Sequence, residues 1–517
     1  MSALIAALLR PDAYPHPVTE VRLIETHISW VLLAGEYAYK LKKPVDLGFL
    51  DFSSLDKRRF YCEEEIRLNR RLAPDIYLDV VPITGDETSA KLRGDGPVLE
   101  WAVRMKAFPA DATLDRDAEI TPAQIDAIAD RIARFHKTID IAKETDSYGT
   151  PGSVMHPVRE NFSQLRPLIP DAGDVGREAV EKMELLERWS EVEGARLARF
   201  FSARKAAGFV RDCHGDLHLG NIAWVDGEPL IFDCIEFNPD LRHVDIISEV
   251  AFLFMDLIER DHADLAWRFL NRWLEHTGDY AGLDGLRFYL VYRAMVRAKV
   301  AGIRHAQAPQ ADSAEVLRHL DLAQRLCRQG PASLTLMHGC SGSGKTWASQ
   351  RLLETVGAVR LRSDVERKRL YGLDALDDSS AVPGGIYGAD ANQRTLMRLL
   401  ELAETLLAYG FATIVDATFL AHDWRRPFFE LARRGVWPIH IVAMDVDTER
   451  MRSRILARER RADDASEAGL AVLEAQQKSL DPLAGVELEH THRFDPDQPG
   501  AWEALLAHYP GTALLSR

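Results

Sequence analysis

Gly339-Cys340-Ser341-Gly342-Ser343-Gly344-Lys345-Thr346 directly follows the apolar run Leu334-Thr335-Leu336-Met337. The octapeptide fits G-x-x-x-x-G-K-[ST], the loop that wraps phosphates between a buried strand and a helix. Its glycines let the backbone close around an anion, so that several N–H groups and the next helix N-terminus face negative charge. Gly339, Ser341, Gly342, Ser343 and Gly344 are therefore expected to line a nucleotide, with Lys345 reaching its β- and γ-phosphates and Thr346 binding Mg²⁺. A chance glycine-rich turn is the weaker reading, given the strand before and the helical pattern after. Downstream, strand-like runs at 413–415 and 439–444 alternate with helical ones. In one of these, Leu396, Leu399, Leu400, Ala403, Leu406 and Leu407 form an apolar stripe that Gly410 ends. Such alternation predicts an α/β domain with a parallel sheet.

Upstream of the loop, Arg328-Gln329-Gly330-Pro331-Ala332 has linker chemistry, so the sequence divides into 1–327, a linker at 328–332, and 333–517. The first part begins with a β-rich stretch at 21–44, read as a strand pair around the turn Ala34-Gly35-Glu36. A helix over 56–72 is expected to be capped by Asp56 and stopped before Pro74, and a strand spans 97–108. Helical patterns then fill 122–143, 178–206, 244–308 and 313–327, around a loop-rich run at 210–239. Strands first, then helices around one insert, predict an α+β domain of the two-lobed protein-kinase kind.

At 517 residues the chain exceeds one ordinary core, and 46% hydrophobic with 28% charged residues suits several soluble domains. A formal net charge of −15 argues against nucleic acid as a partner. The five cysteines, an odd number without a Cys-x-x-Cys pair, suggest neither a disulfide framework nor a zinc ribbon. The first ten residues lack a basic start and a cleavage signature, and no run is long and uncharged enough to span a membrane. A cytoplasmic protein without a membrane partner is expected.

The second motif is His214-Gly215-Asp216-Leu217-His218-Leu219-Gly220-Asn221, with Asp233 following in Leu230-Ile231-Phe232-Asp233. Phosphoryl transfer needs an acceptor for the substrate proton and ligands for Mg²⁺, and H-x-D-x-x-x-x-N supplies both. The motif closely resembles that of aminoglycoside phosphotransferases and choline kinases. The resemblance implies Asp216 as catalytic base, Asn221 and Asp233 as metal ligands, and a small-molecule acceptor, since Gly215 stands where protein kinases commonly have arginine. It also implies a strand lysine paired with a helix glutamate. Lys40 in Tyr39-Lys40-Leu41-Lys42-Lys43 fits, with Lys42 on the same strand face as the alternative, and the partner is either Glu64 or Glu65. Glu25-Thr26-His27-Ile28-Ser29 replaces a glycine-rich loop, so the hydroxyls of Thr26 or Ser29 are the candidates to cover phosphates. Cys213, His214 and His218 are also zinc-binding residue types, a reading that their spacing disfavours.

In the C-terminal part, Arg362-Ser363-Asp364-Val365-Glu366-Arg367 resembles P-loop kinases of the polynucleotide kinase, gluconokinase and zeta-toxin type. That likeness implies Asp364 as general base and Arg367 as a substrate contact. The competing reading makes Asp364 a helix cap. Asp416, at the end of a buried strand, is the expected acidic residue near Mg²⁺. Arg454 and Arg458 are four apart on one helix face and are candidate lid arginines, with Arg460 and Arg461 as competitors and a solvated face as the bland alternative. As a whole the chain resembles bacterial proteins that fuse an aminoglycoside-phosphotransferase-like domain to an AAA-type ATP-binding kinase domain. The likeness implies a bifunctional phosphotransferase with one Mg-ATP per domain, acting on hydroxyls of unidentified small molecules. One active kinase with a nucleotide-sensing partner domain, or a non-kinase ATPase switch, are the alternatives.

Overall fold

The computed structural model describes residues 2–509 apart from 47, 49, 110, 117–118, 170–173, 308–313, 383–384, 460–464 and 466. The chain packs as two compact units. Residues 1–157 and 197–256 form the first; residues 158–196 and 257–517 form the second. The linker-like stretch 328–332 lies between the helix Ala314–Leu326 and the strand Leu334–His338, within the second unit. Among the described residues no helix is long and apolar enough to cross a membrane.

In the first unit, β1 (Val21–Glu25), β2 (Ser29–Ala34), β3 (Tyr37–Lys42), β4 (Tyr77–Thr84), β5 (Lys91–Leu92) and β6 (Val98–Lys106) form one sheet, ordered β1-β2-β3-β6-β4-β5. Its pairings are antiparallel. The β-rich stretch at 21–44 is therefore three strands rather than a pair, because a second tight turn at 26–28 divides it. The helix Leu55–Asn69 packs Cys62 and Ile66 against Tyr77 and Val103 of the sheet. Ser54, not Asp56, caps it, its side chain accepting the Lys57 N–H.

Beyond the sheet, β7 (Val210–Asp212) pairs with β10 (His243–Asp245), and β8 (Ile222–Val225) with β9 (Glu228–Ile231). The β8–β9 hairpin turns at Asp226-Gly227, both left-handed, as its two-residue loop requires. It carries the His214–Asn221 motif on one side and Asp233 on the other.

The second unit holds β11 (Leu334–His338), β12 (Val359–Arg362), β13 (Thr413–Asp416), β14 (Ile439–Met444) and β15 (Thr491–Phe494) in a parallel sheet ordered β12-β13-β11-β14-β15. The connections reverse direction at β11, and the carboxyl end of such a switch strand is where open α/β sheets bind ligands. The phosphate loop leaves β11 there. In the helix Ala389–Ala408 the buried face includes Leu396, Leu399, Ala403, Leu406 and Leu407 of the expected stripe, with left-handed Gly410 just beyond.

Candidate active sites

In the first unit the two-residue period of β3 turns Lys40 and Lys42 to one face. The helix Leu55–Asn69 presents Glu65 to both. Lys40 Nζ lies 2.9 Å from Glu65 Oε1, and Lys42 Nζ 2.8 Å from Oε2. Lys40 also meets Asp233, and Lys42 meets Glu236. Glu64 points elsewhere, to Arg67 at 2.8 Å on the exposed side of the helix. The open choice thus falls on Glu65.

Burial opposes the charge of Lys40, yet Asp233, Glu65 and Glu236 raise its pKa well above the ordinary lysine value. Burial likewise opposes ionisation of Glu65, but Lys40 and Lys42 hold its carboxyl below the usual range. Glu236 moves upward because burial outweighs the pull of Lys42.

Asp233 sits at φ +64°, a left-handed conformation uncommon for a residue with a side chain, and its N–H donates to the Tyr77 hydroxyl at 3.1 Å. The Asn221 amide donates to the Asp216 carbonyl at 2.9 Å and to its carboxylate at 3.0 Å. His214 Nε2 donates to the Phe232 carbonyl at 2.9 Å, which leaves Nδ1 to accept the Asp216 N–H at 3.3 Å. Both ring nitrogens are therefore engaged, and burial keeps this imidazole's pKa below its ordinary value. Gly215 has φ +88°, and a Cβ there would lie 2.9 Å from the Leu241 carbonyl oxygen. Backbone geometry alone accounts for glycine in place of arginine.

Glu249, fully buried in the helix Ile246–Glu259, accepts the N–H groups of His214 at 2.6 Å and Gly215 at 2.8 Å, and faces His136 Nε2 at 2.7 Å. Burial alone would raise its pKa, but those donors lower it to about 2. Cys213, weighed above with His214 and His218 for zinc, instead lies near His136 and Glu249. Thr26 and Ser29 close the β1–β2 turn on each other, the Thr26 hydroxyl accepting the Ser29 N–H at 3.0 Å.

In the second unit Ser341, Gly342, Gly344, Lys345 and Thr346 line a cavity of about 760 Å³. Gly342 has φ +79°, and a Cβ there would come within 2.5 Å of the Met451 carbonyl oxygen. Asp364, Arg367 and Asp416 line the same cavity. Asp364 lies in the first turn of the helix Ser363–Leu370, whose N-cap position is Arg362 with no side-chain cap bond, so it is not the cap. Arg367 is buried, donates to Asn392 Oδ1 at 2.7 Å and to the Ile386 carbonyl at 3.0 Å, and stacks on the Tyr387 ring. Burial pushes its pKa below the ordinary arginine value. Asp416 accepts from Ser349 Oγ at 3.1 Å.

Arg454, on the helix Thr448–Glu459, donates to the Ser343 carbonyl at 3.2 Å and pairs with Asp497 at 3.1 Å. The side chain of Arg458, and Arg460 and Arg461 altogether, lie outside the described residues. Sequence reasoning missed Glu249, as well as Gln476, whose amide oxygen accepts the Ser341 N–H at 2.8 Å, and Glu467, which faces Lys368 at 3.0 Å. No local motif marks them, since each acts across a long sequence gap.

Residues 334–483 match the AAA domain family. Uncharacterized protein Rv2004c of Mycobacterium tuberculosis is 32% identical over 480 residues, covering 90% of this chain and 92% of its own. Uncharacterized protein Mb2027c of Mycobacterium bovis shows the same figures. Among solved structures, spectinomycin phosphotransferase APH(9)-Ia in complex with ADP and spectinomycin shares 13% identity, covering 63% of this chain and 98% of that one with a TM-score of 0.38. A gluconokinase from Sinorhizobium meliloti shares 20%, covering 34% and 88%, with a TM-score of 0.24. The chain belongs to one family with these mycobacterial proteins, and within it residues 334–483 form an AAA domain.

Proposed function

We propose that the chain is a bifunctional ATP-dependent kinase, each site transferring a phosphoryl group from Mg-ATP to a hydroxyl of a small-molecule acceptor. The observation that carries this reading is that each unit separately brings a carboxylate beside its own oxygen-rich ligand set. In the first, Asp216 stands next to Asn221, with Asp233 held by Lys40. In the second, Asp364 and Asp416 share one cavity with Lys345 and Thr346.

These residues fit magnesium, which prefers hard oxygen donors. Asn221 gives its amide N–H groups to Asp216, so its remaining ligand atom is the amide oxygen. Asp233 adds a carboxylate, as does Asp416, alongside the Thr346 hydroxyl. A bound Mg²⁺ would offset phosphate charge at each site. Lys40, fixed by Glu65, and Lys345 orient the phosphates. Asp216 and Asp364 accept the acceptor's hydroxyl proton, and Arg367 with Tyr387 forms a wall of the second acceptor pocket. Thr26 and Ser29 shape the β1–β2 turn over the nucleotide; the Ser29 N–H is taken by the Thr26 hydroxyl, and the buried Ser29 hydroxyl, without a partner among the described residues, is the group left to meet phosphate.

Calorimetric titration with Mg-ATP should give two sites per chain, and Lys345→Ala should remove one and keep the other. A single site in the unsubstituted protein sinks the two-kinase reading. Labelled ATP mixed with a small-molecule extract, compared across variants disabled in one site at a time, would identify the acceptors.

A further inference from the structure

β12 is an edge strand, and its outward backbone groups are taken up by a helix far upstream in sequence. In the helix Ala263–Thr277, the buried Asn271 side chain donates to the Ala358 carbonyl at 2.9 Å and accepts the Arg360 N–H at 2.7 Å. One amide thus satisfies an edge that would otherwise be open to pairing. One turn on, Glu275, 6% exposed, meets Arg360 Nη2 at 2.7 Å and Arg362 Nη1 at 3.4 Å.

Arg360 leads into the nucleotide site. Itself 4% exposed, it donates through Nη1 to the Thr346 carbonyl at 3.3 Å and to Ser349 Oγ at 3.2 Å. The Ser349 hydroxyl lies 3.1 Å from the Asp416 carboxylate. A buried guanidinium keeps a fixed direction only if a counter-charge fixes it, and Glu275 is the carboxylate that does so. The helix that carries Asp364 is docked on the same region. Tyr280 donates to Glu366 at 3.2 Å, and Arg369 donates to the Glu275 carbonyl at 2.6 Å. All of these upstream residues lie outside 334–483, the stretch that matches the AAA domain family.

We propose that Glu275 is a positioning residue of the P-loop site, setting the Thr346 and Asp416 pair through Arg360 and Ser349. The P-loop site is then incomplete without the chain before the linker, and a fragment starting at residue 333 lacks Asn271, Glu275 and Tyr280. The inference rests on the reading of this site as one for Mg-ATP.

The test uses the full chain with the first site weakened by Asp233→Ala, and measures ATP affinity by calorimetry across a Mg²⁺ titration and again in excess EDTA. Partners that orient metal ligands typically matter about tenfold or more in metal affinity. Glu275→Gln should therefore raise the Mg²⁺ concentration for half-maximal tight binding by about tenfold. ATP affinity in EDTA should stay within about twofold, because the loop backbone and Lys345 do not depend on the metal. A general loosening of the fold would weaken both. Ser349→Ala, which cuts the relay while leaving the Arg360–Glu275 pair intact, should shift the Mg²⁺ dependence in the same direction.

A folded Glu275→Gln protein with unshifted Mg²⁺ dependence overturns the inference. If that variant does not fold, an unshifted Ser349→Ala protein overturns it instead. Lys345→Ala in the same background separates the two levels of the argument. If nucleotide binding survives that substitution, the P-loop reading fails and this inference with it; if binding is lost while Glu275→Gln and Ser349→Ala behave like the parent, only this inference fails.

Discussion

The first site is a meeting of side chains and the second a fold of backbone. Lys40, Lys42, Glu65, Asp233 and Glu236 come from a strand, a helix and a loop, and form one chain of alternating charge. The phosphate loop, by contrast, is a continuous octapeptide whose shape depends on left-handed glycines such as Gly342. Each site nevertheless rests against a buried glutamate carried by a helix outside its own motif, Glu249 in the first and Glu275 in the second. Their partners differ in kind: Glu249 receives backbone N–H groups and an imidazole, whereas Glu275 receives guanidinium groups. The contrast says where each site is vulnerable, the first to loss of a side-chain charge and the second to anything that moves the backbone.

The largest expected effect tests the proposed bases. Asp216→Asn, assayed with the second site disabled by Lys345→Ala, should lower phosphoryl transfer by about two to four orders of magnitude while ATP affinity stays nearly unchanged. Asp364→Asn should do the same to acceptor phosphorylation by the second site. Asp364 is not the helix cap, so Asp364→Asn should lower stability by no more than the loss of one first-turn charge, about 0.3–1 kcal/mol, as read in the melting temperature. Transfer at the parent rate in either variant removes that aspartate from the chemistry and breaks the symmetry between the sites.

A smaller effect compares the two glutamates in acid. Both carboxyls lie at about 2 in the folded chain, below the ordinary 4.5, against the burial that would raise them. A depressed folded pKa contributes stability that is complete above the unfolded value, and that stability disappears as pH falls from about 4.5 through about 2. For each group the contribution is roughly 3 kcal/mol, an order-of-magnitude figure. Denaturation midpoints at pH 5, 4 and 3 should therefore fall less steeply in Glu249→Gln and in Glu275→Gln than in the parent. At pH 7 Glu275→Gln should be the less stable of the two, since it leaves buried guanidinium groups without a counter-charge. Parallel pH slopes in variants and parent would remove the linkage.

What was legible in the sequence was local. The phosphate loop, the His214–Asn221 motif and the strands at 334–337, 413–415 and 439–444 all carry their signal within a few residues. The split of 21–44 into three strands did not follow from composition, because the turn at 26–28 lacks glycine and proline and only the family resemblance set a loop at 25–29; Asp56 competed with Ser54 as a cap because both types favour that position. Glycine at 215 reads as a clue to the acceptor until its φ and the nearby Leu241 carbonyl supply a backbone reason. Asn271, Glu249 and Glu275 were out of reach for a plainer reason. A buried polar residue in a helix looks in sequence like a solvated one, and only its distant partner makes the difference.

The smallest expected effect bears on how narrowly the first site depends on side-chain charge. Glu63-Glu64-Glu65 offers three identical carboxylates, and sequence gives no means of ranking Glu64 against Glu65. In the fold Glu65 is fully buried between two lysines, while Glu64 makes an i,i+3 pair with half-exposed Arg67. Exposed helix pairs of this kind contribute only about 0.3–0.5 kcal/mol, because water screens them and both side chains lose rotamer freedom. Glu64→Gln should accordingly lower the free energy of unfolding by an amount within that range, and leave phosphoryl transfer by the first site and its ATP affinity at parent values. The substitution keeps helix propensity and volume nearly constant, so a shift cannot be ascribed to either. If Glu64→Gln instead costs as much transfer as Glu65→Gln, the charge that fixes Lys40 extends to the solvent face of the helix, and the first site is broader than the buried cluster that defines it here.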